Sequence, residues 1–365
     1  MKHISSFIGN VGDVLSNYGF RKYLSKLGLS PARIEIRDYY QNIDSNKRKN
    51  LDNDFLECEK LQETLLIGGG GFLDFWLDGS RTGTTIDIDL DILKNTSFPL
   101  VIQSVGSYPH QTVSENSYSN FSKFLEIIQD RPNSKIILRN DGSYEKLKSL
   151  NLINKKIIKG FDNAYLAQNY LEVNKTLFNF QFVAINLAYD QLLMQSEFRE
   201  GIDTEHFKKE VKKLIINIID KYNCKIVFVP HISSDIQYIL ELISELDDRL
   251  VREWIVVAEY NGSEDALNYY YTIYAKSIFN VATRFHANIL CGLTGKKTIS
   301  LCALDRVRSV ANHHSNLLPL TDFTGNLSDR AMITIKDYSI DPINKTEYSS
   351  VLEDIYRNEL HFIDK

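Results

Sequence analysis

The chain has 365 residues, 43% of them hydrophobic and 24% charged, enough for two domains of ordinary size that each bury a core. A formal net charge of −5 excludes the basic face that nucleic-acid binding needs, and the composition excludes a disordered or fibrous chain. The opening MKHISSFIGNVGD lacks an apolar run of signal-peptide length, and no run of about 18 apolar residues offers a membrane span, so the expected location is cytoplasmic, at most peripheral to the inner face of a membrane.

Short runs of β-branched and aromatic residues alternate with helical patterns, as in βα units around parallel sheets. In the first half the expected strands lie in residues 2–7, 33–39, 64–68, 99–104, 135–139 and 156–161. The second half gives 182–188, 224–230, 253–259, 277–282 and 297–302. Between them, Phe207, Val211, Leu214, Ile215, Ile218 and Ile219 recur at helical spacing over 203–222. The series restarts after 169–179, which predicts an α/β chain of two doubly wound, Rossmann-like domains facing a cleft. Their bounds are 1–170 and 176–338, and a final segment 339–365 forms a helix packing back toward the first domain.

Chemistry in such domains sits just after the strands. Behind the first strand comes GNVGD, residues 9–13, where Asn10 and Gly12 form a turn able to hold an anion at a helix start; Asp13 is either a plain helix cap or a working carboxylate. Behind the third comes GGGG, residues 68–71, whose Gly69, Gly70 and Gly71 permit a close backbone approach. It is no dinucleotide fingerprint, because Leu73 stands where a third glycine is needed, and GLTGKKT is no phosphate loop, because Leu290 replaces its first glycine. No bound cofactor is called for. Arg139 in LRNDGS and His231 in VPHISSD occupy equivalent strand ends.

The strand ending at 282 runs into TRFHANILCGLTGKK, with Arg284, Phe285 and His286 at the start of a small apolar helix. A guanidinium, an imidazole and a helix N-terminus together make an anion site with a proton donor or acceptor attached. A core histidine beside an arginine reaching for solvent is the plainer alternative. ALDRVRS adds Arg306 behind the next strand. The four cysteines lack ligand spacing, and Asp87, Asp89 and Asp91 alternate as on a solvated face, so no metal is expected.

In this order and spacing, GNVGD, GGGG, LRNDGS, VPHISSD and above all TRFHANILCGLTGKK resemble the polysaccharide pyruvyl transferase family, from about residue 8 to about residue 310. The resemblance implies a fold like that of GT-B glycosyltransferases. It also implies metal-independent transfer of the pyruvyl unit of phosphoenolpyruvate onto a sugar of a cell-surface polysaccharide or its precursor, as a cyclic ketal. By position, Arg284 and His286 look like the donor-site pair, with Asp13 and Arg139 as N-terminal partners. Phe285, Arg306 and His231 join the phosphoenolpyruvate contacts. The family tends to have Arg-Asp where this chain has Arg139 and Asn140, and lysine where it has Arg306. His286 and Asp13 would share the proton transfers, in either assignment.

Two other readings stand beside it. One is a nucleotide-sugar glycosyltransferase on the same scaffold, with Glu259 holding a ribose; the other is a glycan-binding protein without activity. The acceptor is open between a lipid-linked oligosaccharide, a polymer and a nucleotide sugar. The tyrosines of NYYYTIY, residues 268–274, are explained equally by sugar stacking and by helix packing.

Overall fold

The computed structural model describes residues 1–40, 49–198, 203–337 and 347–360. Two compact units emerge, one of Met1–Phe7, Asp13–Gln168 and Thr346–Lys365, the other of Ile8–Gly12 and Asn169–Lys345. Residues 339–346 and 361–365 of the expected C-terminal segment lie outside the described residues. No helix among the described residues is long and apolar enough to cross a membrane.

The first unit is built on β1 (Lys2–Ser5), β2 (Ala32–Glu35), β3 (Leu65–Gly70), β4 (Leu100–Val105), β5 (Ser134–Leu138) and β6 (Ile157–Lys159). They form one sheet in the order β2-β1-β3-β4-β5-β6, every pairing parallel. All of β3 and β4 is buried, as central parallel strands covered by helices on both faces must be. Leu352 and Tyr356 of the helix Glu347–Glu359 pack with Phe20, Leu24, Leu66, Val101 and Ile137 of this unit. The Tyr356 hydroxyl donates to Asn163 Oδ1 and lies 3.3 Å from Gln103 Oε1, and the Gln103 amide lies 3.3 Å from His3 Nε2, so a buried polar chain fastens this helix to the sheet.

The second unit contains β7 (Phe182–Asn186), β8 (Lys225–Phe228), β9 (Ile255–Val257), β10 (Asn280–Ala282), β11 (Thr298–Leu301) and β12 (Leu317–Leu320). Their order is β12-β11-β10-β7-β8-β9, again all parallel. The amphipathic pattern at 203–222 is the helix Thr204–Tyr222, capped by Asp203, with all six of its periodic apolar residues buried. The strand β12 has no counterpart among the eleven expected segments: it is four residues long and contains Pro319, which a sheet tolerates at its edge. The four cysteines are free and buried, and burial pushes the thiols up, to about 11 for Cys58 and Cys224 and about 12 for Cys302.

Both sheets reverse direction once, between β1 and β3 in the first and between β7 and β10 in the second, and such switch points open a crevice at the carboxyl ends of the strands. In the first unit β3 is followed by 71–89, a long stretch without helix or strand. Side chains order it instead. Arg81 bonds Asp87 through Nε at 3.0 Å and Asp52 through Nη1 at 2.7 Å, and the Thr82 hydroxyl donates to the Ile86 carbonyl at 2.6 Å. Asp89 caps the helix Leu90–Asn95 by accepting from Asp91 and Ile92. This corrects the expectation of a solvated acidic face in part: Arg81 fastens Asp87 into the loop and Asp89 is engaged at the helix start, while Asp91 is exposed as expected.

Buried imidazoles make the fold acid-sensitive. Burial lowers His3 to about 3 in the first unit and His314 to about 4 in the second. The unfolded chain binds their protons near pH 6.5 while the folded one does not, so stability is intact above that pH and falls as pH drops toward the folded values. Each contributes up to about 1.4 kcal/mol per pH unit in that window. Urea unfolding at pH 7.0 and pH 5.0 checks this: the midpoint should be lower at pH 5.0, and an equal or higher one would show that these histidines titrate normally.

Candidate functional site

In the second unit the switch-point strands end in Asn186 and Ala282. Asn186 ties three strand ends together: its Oδ1 accepts from the Arg284 N–H at 3.0 Å, its Nδ2 donates to Val229 at 2.9 Å, and its carbonyl accepts from the Thr283 hydroxyl at 2.6 Å. Arg284 is extended (φ −75°, ψ 143°) as the N-cap of the helix Phe285–Thr294, and its side chain does not cap that helix. The start of the helix therefore follows β10 directly, with His286 in its first turn.

The guanidinium of Arg284 is held by two carboxylates. Nε donates to Asp235 Oδ2 at 2.8 Å and Nη2 to Asp235 Oδ1, while Nη2 reaches Asp190 Oδ1 at 2.7 Å. Asp235 is 1% exposed and also accepts from the His231 and Ile232 N–H groups at 2.9 and 3.2 Å, whereas Asp190 is 37% exposed. Burial opposes the charge of Arg284, but the two carboxylates outweigh it and raise its pKa.

His231 is fully enclosed. Its Nε2 lies 2.8 Å from the Tyr274 hydroxyl. Burial, then the charges of Arg284 and His286, hold its pKa well below the usual range, so the ring is neutral and all three side chains share one neighbourhood. Burial raises Tyr274 well above its ordinary value, so the phenol facing Nε2 keeps its proton. The other ring nitrogen of His231, Nδ1, has no hydrogen-bond partner among the described residues. Phe285 is buried with its ring edge-on to His286 at 5.0 Å. Arg306, partly exposed, lies in the first turn of the helix Asp305–Ala311 behind β11.

The turn behind β1 belongs with this unit rather than with the sheet it leaves. Gly9 N–H donates to Gly262 at 2.9 Å, Val11 N–H donates to His231 at 3.0 Å, and the Tyr260 hydroxyl donates to Gly9 at 2.7 Å. Asn10 Oδ1 accepts from Gly12 N–H at 3.0 Å and closes the turn. Any side chain at Gly12 would place its Cβ 2.1 Å from His286 Nδ1. Asp13 follows in the first turn of the helix Val11–Lys26 and belongs to the first unit, where its charge adds to burial in raising the Tyr40 phenol.

In the first unit Arg139 is buried at the end of β5. Its Nε donates to Asp141 Oδ2 at 2.6 Å and Nη1 lies 3.7 Å from Asp162, so its charge is neutralised close at hand. The carboxylate lacking at Asn140 is supplied by Asp141. Gly71 borders this pair, 3.9 Å from Nη2 of Arg139 to a would-be Cβ. Gly69 (φ +91°) faces Asn17 and Gly70 faces the Phe72 ring, so the close approaches these two permit are to their own unit.

Sequence reading thus found Arg284, His286 and His231 as neighbours but missed Asp190, Asp235, Asn186 and Tyr274, and in the first unit Asp141 and Asp162. Asp235 stands in the VPHISSD segment and Asp141 in LRNDGS; a polar residue within one turn of a switch-point strand end was the signal. The tyrosine stretch is structural: Tyr270 and Tyr274 are fully buried, and Tyr270 accepts from Asn261 N–H at 2.9 Å. Glu259 is exposed.

Solved structures match the fold over nearly the whole chain. UDP-GlcNAc 2-epimerase of Methanocaldococcus jannaschii, in complex with UDP-GlcNAc and UDP, is 12% identical with a TM-score of 0.59 over 99% of this chain and 100% of that one. MnaA of S. aureus with UDP is 13% identical, TM-score 0.59, over 99% and 96%. UDP-GlcNAc 2-epimerase of Neisseria meningitidis bound to UDP-GlcNAc is 13% identical, TM-score 0.56, over 99% and 100%. At such identities the likeness shows the fold, which is GT-B-like. No curated protein matches the chain. The family model described as polysaccharide pyruvyl transferase matches residues 10–301.

Proposed function

The chain belongs to the polysaccharide pyruvyl transferase family, and on that premise we propose that it moves the pyruvyl unit of phosphoenolpyruvate onto a sugar of a cell-surface polysaccharide or its precursor. The observation that carries this reading is the grouping of Arg284, His286 and the neutral His231 at the helix start behind β10. It combines a fork for a carboxylate or phosphate, an imidazole for a proton and an unpaired buried ring nitrogen.

Phosphoenolpyruvate carries a phosphate and a carboxylate on three carbons. Arg284 and the N-terminus of its helix hold these anionic groups, with Arg306 adding charge. His286 gives a proton to the methylene carbon, which makes the central carbon electrophilic. One sugar hydroxyl adds there and loses its proton to Asp13. The C–O bond to phosphate then breaks as Asp13 returns that proton to the departing oxygen, inorganic phosphate leaves, and the second hydroxyl adds in its place and releases the proton that restores His286. Atoms balance as phosphoenolpyruvate plus a diol giving a ketal plus phosphate. Arg139, already neutralised by Asp141 and Asp162, acts in this scheme by fixing the strand ends of the first unit.

Thermal unfolding with phosphoenolpyruvate or UDP-GlcNAc tests the donor. A ligand that binds only the folded chain raises the midpoint, and phosphoenolpyruvate should do so. A shift with UDP-GlcNAc alone overturns the reading in favour of a nucleotide-sugar transferase.

Asp190 sharpens the expectation. Its half-exposed carboxylate occupies the edge of the Arg284 fork where a donor carboxylate would bind, so the donor must displace it. Asp190→Ala should therefore tighten phosphoenolpyruvate binding, by about 5- to 10-fold for one exposed charge-assisted pair of roughly 1 kcal/mol or slightly more. Calorimetric titration of the variant reads this, and weaker binding would mean that Asp190 orients the fork rather than competing for it.

A further inference from the structure

The first unit holds a cavity of about 480 Å³ between Tyr39–Tyr40 and the loop behind β3, lined by Tyr39, Tyr40, Trp76, Ser80, Thr85 and Asp87 among others. Its size falls in the range of about 300–1,000 Å³ usual for small-ligand sites. The loop that walls it is long, irregular and yet pinned at Asp52, Asp87 and Thr82, and long structureless loops in compact domains are commonly functional.

The lining is selective in its chemistry. Three aromatic residues, Tyr39, Tyr40 and Trp76, line it, hydroxyls come from Ser80, Thr84 and Thr85, and the one charged side chain is a carboxylate. That carboxylate, Asp87, is paired with Arg81, and without a lysine or arginine in the lining nothing draws phosphoenolpyruvate or a diphosphate into the cavity. It suits a neutral molecule with apolar C–H faces and many hydroxyls. Among the described residues, the Tyr40 hydroxyl, the Trp76 indole N–H and the Thr85 hydroxyl make no hydrogen bond, which leaves them available to a ligand. Tyr40 also lies within the electrostatic reach of Asp13, the carboxylate of the same unit that would accept a sugar proton.

We propose that this cavity is a sugar subsite that takes one pyranose unit of the acceptor glycan, stacked on Trp76 and hydrogen-bonded through Tyr40, Thr85 and Asp87. Its identity as the acceptor site rests on the pyruvyltransferase reading; its binding of a pyranose does not.

Saturation-transfer NMR with methyl glycosides of glucose, galactose, mannose and N-acetylglucosamine tests it on the full chain. At least one glycoside should receive saturation, strongest at ring C–H protons. Trp76→Ala should weaken that binding at least ~10-fold, and Tyr40→Phe, which keeps the ring and removes the hydroxyl, by roughly 3- to 10-fold. Both variants should retain the unfolding shift given by phosphoenolpyruvate. If Trp76→Ala does not fold, Tyr40→Phe decides. No saturation of any glycoside by the wild-type chain, or binding indifferent to both substitutions, overturns the subsite while leaving the donor reading intact. Trp76-dependent glycoside binding without any response to phosphoenolpyruvate upholds the sugar subsite and overturns its assignment as the acceptor of a pyruvyl group.

Discussion

Arg284→Ala is expected to lower the stability of the chain by about 3 kcal/mol and to abolish measurable phosphoenolpyruvate binding. The stability loss follows from Asp235, which is 1% exposed and has Arg284 as its countercharge. Removing one partner of a buried pair leaves the other ionised out of water, and the cost is about 3–5 kcal/mol. The N–H groups of His231 and Ile232 still bond Asp235, which sets the expectation at the low end. Arg284→Lys restores the charge without the planar fork and should recover part of the stability and little of the binding. The double substitution Arg284→Met with Asp235→Leu removes both buried charges, and it should unfold at a higher denaturant concentration than Arg284→Ala. Equal midpoints for the wild type and Arg284→Ala, in urea, would show that the pair contributes nothing.

His286→Ala should reduce turnover about 100-fold or more while phosphoenolpyruvate binding changes little, because a general acid acts on the transition state rather than on the bound donor. His286→Gln separates proton transfer from placement: it keeps a hydrogen-bond donor and cannot shuttle a proton. Turnover measured as phosphate released from phosphoenolpyruvate should fall in both variants, and near-normal release by His286→Gln would move the acid role to another group, with Asp13 the next to substitute. Gly12 bears on the same step. A methyl group there collides with the His286 ring, so the position of the imidazole depends on the absence of a side chain in the turn behind β1.

Much of this architecture is written locally. Each run of β-branched residues expected as a strand overlaps one, and the helix Thr204–Tyr222 follows from its six apolar residues and the Asp203 cap. The strand β12 was hidden because Pro319 reads as a turn, and at a sheet edge the missing N–H costs nothing. The candidate site was legible only in part. RFHA announces itself because arginine and histidine are conspicuous after an apolar strand, whereas Asp190 and Asp235 look like ordinary first-turn acids. Their meaning depends on strand order: β7 stands beside β10 in the sheet and β8 beside β7, although residues 187–279 separate β7 from β10 in the chain and residues 229–279 separate β8 from it, a pairing that periodicity does not encode. The stretch 71–89 escaped notice for a related reason, since Arg81 finds Asp52 across 29 residues of sequence.

The four buried thiols have a practical meaning for anyone handling this protein. A thiol whose pKa is held near 11 or above is almost wholly protonated at neutral pH, so neither peroxide nor alkylating reagents find a nucleophile while the chain is folded. Burial thus shields the four thiols of the folded chain from oxidation and alkylation. Opening changes this at once, and it does so unevenly: Cys58 belongs to the first unit, whereas Cys224, Cys291 and Cys302 belong to the second. Mass spectrometry of alkylated peptides along a denaturant series would therefore record the two units separately, with no label added to the chain beforehand.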